Sequence, residues 1–250
     1  MIPLRDVNPT HRRAVVTFLL LVLNVGVYFG VQPDLSSPEA NDFVFERAAI
    51  PCELVTGEPL SPEELPTARS TTACNTQPEG PPIFPGKNVW LAAIVSMFLH
   101  GSLLHLGGNM LFLWIFGNNV EDRLAHLRYL GFYLVGGVAA TAAHVLVQPN
   151  STVPVVGASG AIAAVMGAYL AWFPHARIHT LFFFFIIFFR DVSAKWVLAL
   201  WFISQFNDAF NPNSGVAWGA HVGGFVFGVL AGLALRPSGV EPRPALRGRR

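Results

Sequence analysis

The sequence predicts an all-α polytopic membrane protein built as a bundle of six transmembrane helices, and three observations predict it. The 250 residues are 52% hydrophobic and only 12% charged, with a mean hydropathy of +0.47, about half the charge content of an average soluble domain. The apolar residues fall in long blocks separated by polar connections, several near the length that a hydrocarbon core of about 30 Å requires. The cations are sided. With the N-terminus placed inside, the inner connections hold 13 of the 16 Lys and Arg residues, leaving Arg47, Arg69 and Lys87 outside.

Residues 1–13 form a short basic N-terminus carrying Arg5, Arg12 and Arg13. Ala14–Val31 is the first crossing; it is too long for a cleavable signal sequence and no clear small-residue cleavage site follows it. A long outer loop over 32–89 is rich in Pro, Glu, Ser and Thr, with nine acidic residues against three basic ones. Trp90–Phe116 exceeds one crossing and is broken by His100, His105 and Asn109. Its first ten residues are too few to cross, so Trp90–Leu99 reads as an interfacial or re-entrant piece. The second helix then starts near Gly101 and Ser102, with Ser102 as N-cap, and runs toward Glu121.

Tyr129–Val147 and Val155–Phe173 are the third and fourth crossings, with Pro154 suited to the first turn of the fourth. The phenylalanine-rich Leu181–Phe189 is too short to cross and is expected at the inner interface. Trp196–Phe210 and Val216–Leu235 complete the six-helix membrane domain over 14–235, and a basic, disordered tail follows at 236–250. Trp90, Trp172, Trp196 and Trp218 fall near crossing ends, as interfacial anchors do.

Short basic loops stay in the cytoplasm, so both termini are expected there and the acidic loop in the periplasm or exterior, as in a bacterial inner membrane. In that oxidising space Cys52 and Cys74 are expected to pair, stabilising the fold by roughly 3 kcal/mol in the chain-entropy picture; two free thiols are the alternative. The net charge of +1 says little by itself, and no nucleic-acid partner is expected.

Polar groups in hydrocarbon are costly and usually face the bundle interior. Here they are His100, His105, Asn109, Ser159 and His221. His105 and Asn109 are four apart and share a helix face, whereas His100 reads as a hydrogen-bonding residue that shapes the preceding loop. Helices two, four and six all start on the outer side. His105, Ser159 and His221 follow their helix starts by three to five residues, which places all three about 5–8 Å below the outer helix ends.

Gly224, Gly228 and Gly232 recur every four residues and strip one face of helix six, matching Gly160, Ala164 and Gly167 on helix four. Close pairing of the two would set His221 against Ser159. A hydroxyl needs a base within hydrogen-bond reach to act as nucleophile, and the oxyanion it creates needs preorganised donors. Asn109, His105 and the Ser159 backbone N–H are available. No carboxylate lies at this level, so the reading is a Ser–His dyad; Asp208 sits near the outer end of helix five with nothing to aim it at His221. A glycine packing seam with an incidental histidine is the plainer alternative. Metal catalysis lacks a ligand set, and no cofactor is expected.

His100-Gly-Ser-Leu-Leu-His105-Leu-Gly-Gly-Asn109-Met110, Gly157-Ala158-Ser159-Gly160 and Ala220-His221-Val222-Gly223-Gly224, in that order, resemble the rhomboid family of intramembrane serine proteases. Gly117-Asn118-Asn119-Val120-Glu121 adds to the likeness, which covers roughly residues 90–235. The resemblance implies Ser159 as nucleophile, His221 as base, and His105 and Asn109 as oxyanion donors. It also implies a wet cavity open to the outer side, lateral entry past helix five, and transmembrane proteins in the bilayer as substrates. An inactive relative that binds membrane clients is the alternative, and a proton-relay transporter is disfavoured by the lack of membrane carboxylates. Two departures stand out. Ala163 replaces the aromatic residue that in many relatives packs beside the histidine, and the Trp-Arg pair common before helix two is absent.

Overall fold

The apolar blocks form helices wherever a run is long enough to satisfy its own backbone. In a computed structural model, which describes residues 1–65, 74, 80–183, 187–210 and 215–235, six such helices lie at the expected positions. They are α1 (Val15–Gly30), α5 (Leu103–Leu124), α6 (His126–Val147), α7 (Ser159–Trp172), α8 (Ala194–Ala209) and α9 (Trp218–Ala234). Between the first two lie α2 (Glu39–Arg47), α3 (Pro51–Thr56) and α4 (Val89–Val95). The tail at 236–250 is outside the described residues.

Among the described residues, length and composition alone qualify only α6 as a membrane-crossing helix; a second qualifies if Val89–Phe98 and Leu103–Leu124, bent by 80°, count as one broken span. Helices α1, α7 and α9 are apolar but shorter. The shortness of α7 has a local cause. Val155 pairs with Ala49 in an isolated antiparallel bridge, its N–H donating to the Ala49 carbonyl at 2.8 Å. That pairing keeps the backbone extended past Pro154, and Gly157 turns it at a φ of 120° before the helix begins at Ser159. Pro154 is therefore not in the first turn, contrary to expectation, and the 14 residues of α7 rise about 21 Å.

Helix α7 is the centre of the bundle, with all of its residues from Gly160 to Tyr169 buried, against α5, α6 and α9. Its small face meets the glycines of α9 as their spacing predicts. A side chain at Gly228 would run into the Ala164 backbone, and one at Gly167 into Phe225 and Val229. Trp172 fastens the far end of the seam, its indole N–H donating to the Gly232 carbonyl at 2.6 Å.

The chain is not wholly α. Residues near the N-terminus form β1 (Ile2–Asp6), and the phenylalanine-rich stretch forms a hairpin of β2 (Arg177–Phe183) and β3 (Ile187–Ser193). The order is β1-β2-β3, antiparallel throughout, with Ile2 opposite Leu181 and Arg177 opposite Ser193. A short apolar run bounded by polar residues fits a strand as well as an interfacial helix; here the β-branched and aromatic side chains favour the pleated form. Asp6 pins the sheet to the bundle by accepting from the Tyr169 hydroxyl at 2.7 Å and the Asn119 amide at 2.5 Å. Burial pushes its carboxyl up to about 6, against the hydrogen bonds from Asn8, Tyr169 and Asn119 that favour the charged form.

Helix α1 begins without a capping side chain of its own, at Ala14. Buried Glu121 of α5 serves instead, accepting from the backbone N–H groups of Val16 and Thr17 at 2.8 and 2.7 Å and from the Thr17 hydroxyl. The long loop folds into a lobe of α2 and α3 whose small core holds Ile50, Cys52 and Leu60. Cys52 and Cys74 are joined by a disulfide. Lys87 and Glu53 form a buried ion pair at 2.5 Å; burial pushes the carboxyl up and the ammonium down, and each partner's charge offsets part of the other's shift.

Candidate active site

Three helix starts converge on one cavity. Ser102 caps α5 by accepting from the His105 N–H at 3.1 Å, which sets His105 in the first turn and Asn109 one turn deeper on the same face. Ser159 is the first residue of α7, and His221 lies in the first turn of α9. The positive ends of three helix dipoles thus face the same space.

The cavity has a volume of about 670 Å³ and is lined by Ser159, His221, His105 and Asn109 together with Met97 and Trp201. His221 Nε2 lies 2.8 Å from Ser159 Oγ, within hydrogen-bond range. The glycines allow this approach: a Cβ on Gly224 would strike the Gly160 carbonyl. His105 and Asn109 close the other side of the serine. A Cβ on Gly157 would stand 2.7 Å from the His105 ring and 3.5 Å from Asn109 Nδ2. Asn109 is buried, and its Nδ2 has no hydrogen-bond partner among the described residues. A buried amide donor left unmatched is costly, which is the property expected of a group reserved for an incoming oxygen.

Of the five polar residues singled out in the sequence, Ser159, His221, His105 and Asn109 line one cavity, Ser159 and His221 in direct contact. His100 stands apart from α5, as expected. Its backbone is held by Gln32, which accepts from the His100 N–H at 2.9 Å and donates to its carbonyl at 3.0 Å. Its ring packs edge-on to His105, 5.2 Å between centroids.

Ala163 is buried inside α7, and the neighbours of His221 come from α8 instead. Trp201 lies 5.9 Å from the imidazole between ring centroids, and Gln205 Oε1 is 2.6 Å from His221 Nδ1. Gln205, one of two amides with Asn207 inside the apolar Trp196–Phe210 run, meets the same test of a polar residue at membrane depth that picks out Asn109, but was not singled out from the sequence. His144 of α6 was also passed over; it is buried, and a Cβ on Gly219 would stand 3.0 Å from its Nδ1. Among the described residues, the cluster able to hold a metal is Cys52, Glu64 and Cys74, and both of its sulfurs are taken up in the disulfide.

Residues 87–238 match the family described as Rhomboid domain. The chain is 32% identical over 151 residues to Rhomboid protein 1, mitochondrial, of Saccharomyces cerevisiae, covering 57% of this chain and 41% of the relative. It is 30% identical over 151 residues to RHOMBOID-like protein 5 of Arabidopsis thaliana, covering 58% and 44%. To the human Presenilin-associated rhomboid-like protein, mitochondrial, it is 28% identical over 145 residues, covering 54% and 35%. The matches span less than half the length of each of these relatives. They overturn the expected bacterial inner membrane with cytoplasmic termini, since the relatives are eukaryotic and the yeast and human ones are named mitochondrial. The sidedness of Lys and Arg distinguishes one face of a membrane from the other and carries no information about which organelle or organism holds it.

Proposed function

The chain belongs to the rhomboid family, a family of polytopic all-α membrane proteins, and on that premise we propose that it is an intramembrane serine endopeptidase working through a Ser159–His221 dyad. The observation that carries the reading is the 2.8 Å contact between His221 Nε2 and Ser159 Oγ. In this reading residues 14–235 cross the bilayer six times, with 32–89 as a lobe outside it and 1–13 and 236–250 as flanking segments.

Ser159 Oγ attacks the scissile carbonyl as His221 Nε2 takes its proton. The tetrahedral oxyanion is met by the Asn109 amide, the His105 ring and the first N–H groups of α7, donors already in place before charge develops. Collapse breaks the C–N bond, and His221 returns the proton to the leaving amine. Water then attacks the acyl-serine by the same route and releases the new carboxyl end. Substrates are transmembrane proteins entering from the bilayer past α8. Their helix must unwind locally, because a helical carbonyl is engaged and shielded, so small or helix-breaking residues near the cut favour cleavage.

A catalytically inactive, client-binding relative would have no use for the Ser159–His221 contact. Labelling with a fluorophosphonate in detergent separates the two. The protease reading expects a labelled serine that is lost in Ser159→Ala and reduced at least 100-fold in His221→Ala, as loss of a general base entails. A folded but unlabelled wild-type protein would leave only the binding role.

A further inference from the structure

We propose that Gln205 is the positioning residue that sets the tautomer of His221, making the site a Ser–His–Gln relay; this rests on the dyad reading above. Gln205 is 6% exposed, one turn before the C-terminal end of α8. A buried primary amide must place two donors and one acceptor, and here the placement is determined by its neighbours. Its Nε2 donates to the Trp201 carbonyl at 2.7 Å, one turn back on the same helix, and lies 3.0 Å from the Ser204 hydroxyl. That carbonyl accepts only, so the amide nitrogen must face it. The oxygen is then the atom turned to His221, 2.6 Å from Nδ1.

An amide oxygen also accepts only, so the proton of neutral His221 must sit on Nδ1. The lone pair is left on Nε2, the nitrogen 2.8 Å from Ser159 Oγ, where a base is needed. The other tautomer would oppose two lone pairs at Gln205, and its Nε2–H would donate to the Ser159 hydroxyl instead of accepting the proton from it. Flipping the amide would oppose its oxygen to the Trp201 carbonyl. Trp201, whose backbone fixes the amide, also lays its ring beside the imidazole, so one turn of α8 holds the base both by its edge and by its face. When His221 takes the serine proton, the Nδ1–H···Oε1 bond persists and no group moves. Gln205 carries no charge, however, so it orients the base without stabilising its cationic form as a carboxylate would.

The test compares Gln205→Met and Gln205→Glu, using fluorophosphonate labelling rate, kcat and KM on a single-span substrate in vesicles, and thermal unfolding. Met fills similar volume but cannot accept the Nδ1 hydrogen. It should lower kcat and the labelling rate by about 100-fold with KM within about twofold, the pattern of an interaction that matters in the transition state. Glu keeps an acceptor for Nδ1 but turns its second oxygen toward the Trp201 carbonyl, so at some cost in stability it should keep kcat at least about tenfold above that of Met and move the acid limb of the pH–rate profile to higher pH, because a carboxylate favours the protonated imidazole. Met at more than half of the wild-type kcat would overturn the proposal, as would Glu failing as badly as Met with both unfolding early. If Met does not fold, the direction of the acid-limb shift in Glu decides alone. Ser159→Ala, run in parallel, separates the two readings. Cleavage that survives in it defeats the dyad itself, whereas cleavage lost there but kept in Met defeats only the role of Gln205.

Discussion

Gly157 is a position that side chains cannot share. Its φ of 120° lies where only glycine is comfortable, and a Cβ there would press 2.7 Å from the His105 ring. Gly157→Ala should therefore cost about 1–3 kcal/mol of stability and slow fluorophosphonate labelling at least tenfold by displacing His105; labelling at the wild-type rate would show that His105 has room to spare. Asp6 gives a second residue-scale expectation. Its folded carboxyl titrates near 6 against 3.8 for the free group. A raised acid contributes stability that is fully present below the lower value and lost as pH rises through the higher one. The unfolding temperature in detergent should therefore fall between about pH 4 and about pH 7 by a contribution that Asp6→Asn removes; equal slopes in both proteins would dismiss Asp6 as its source. Ser159, His221, His105 and Asn109 were legible in the sequence because each is a polar group at a countable distance from a helix start. Gln205 meets the same depth test, but its role was not legible, because its partner lies on another helix and only the packed structure shows which way its amide turns.

Packing between elements rests on bare backbone. Gly228 faces the Ala164 backbone and Gly224 the Gly160 carbonyl, so Gly228→Val should force α7 and α9 apart. Ser159 and His221 ride on those two helices, and both folded yield and probe labelling should be lost together; a well-folded, fully labelled Gly228→Val protein would refute the seam. The spacing of these glycines was readable because a four-residue period is a local signal. The β-hairpin and the late start of α7 were not readable, since each is decided by a remote partner: β1 for the hairpin, and Ala49 for Val155. Glu121 is another remote partner, lending α1 the cap its own sequence lacks. Glu121→Ala leaves the Val16 and Thr17 N–H groups unmatched and should cost about 2–4 kcal/mol, seen as a lower unfolding temperature with labelling kept at low temperature.

For the molecule as a whole, the lobe and the bundle are one mechanical unit on the side of the active site. The lobe meets the segment leading to Ser159 at two backbone contacts, Cys52 N–H to the Ser151 carbonyl at 2.9 Å and Val155 N–H to the Ala49 carbonyl at 2.8 Å. It is closed by a disulfide across 22 residues, a loop whose closure stabilises by roughly 3 kcal/mol in the entropic account. The bundle does not need that bond, because its helices bury their own seam. Cutting it should therefore act locally. Cys52→Ser or Cys74→Ser should leave unfolding of the helical bundle nearly unchanged while exposing the lobe to limited proteolysis. The labelling rate at Ser159 should fall as temperature rises, since the strand at Val155 and the turn at Gly157 lose their backing before the helices do. Reduction of the wild-type protein should reproduce both effects and add nothing to either variant. If labelling keeps its wild-type temperature dependence while the lobe is digested, the strand at Val155 holds its shape unaided and the active site is independent of the lobe.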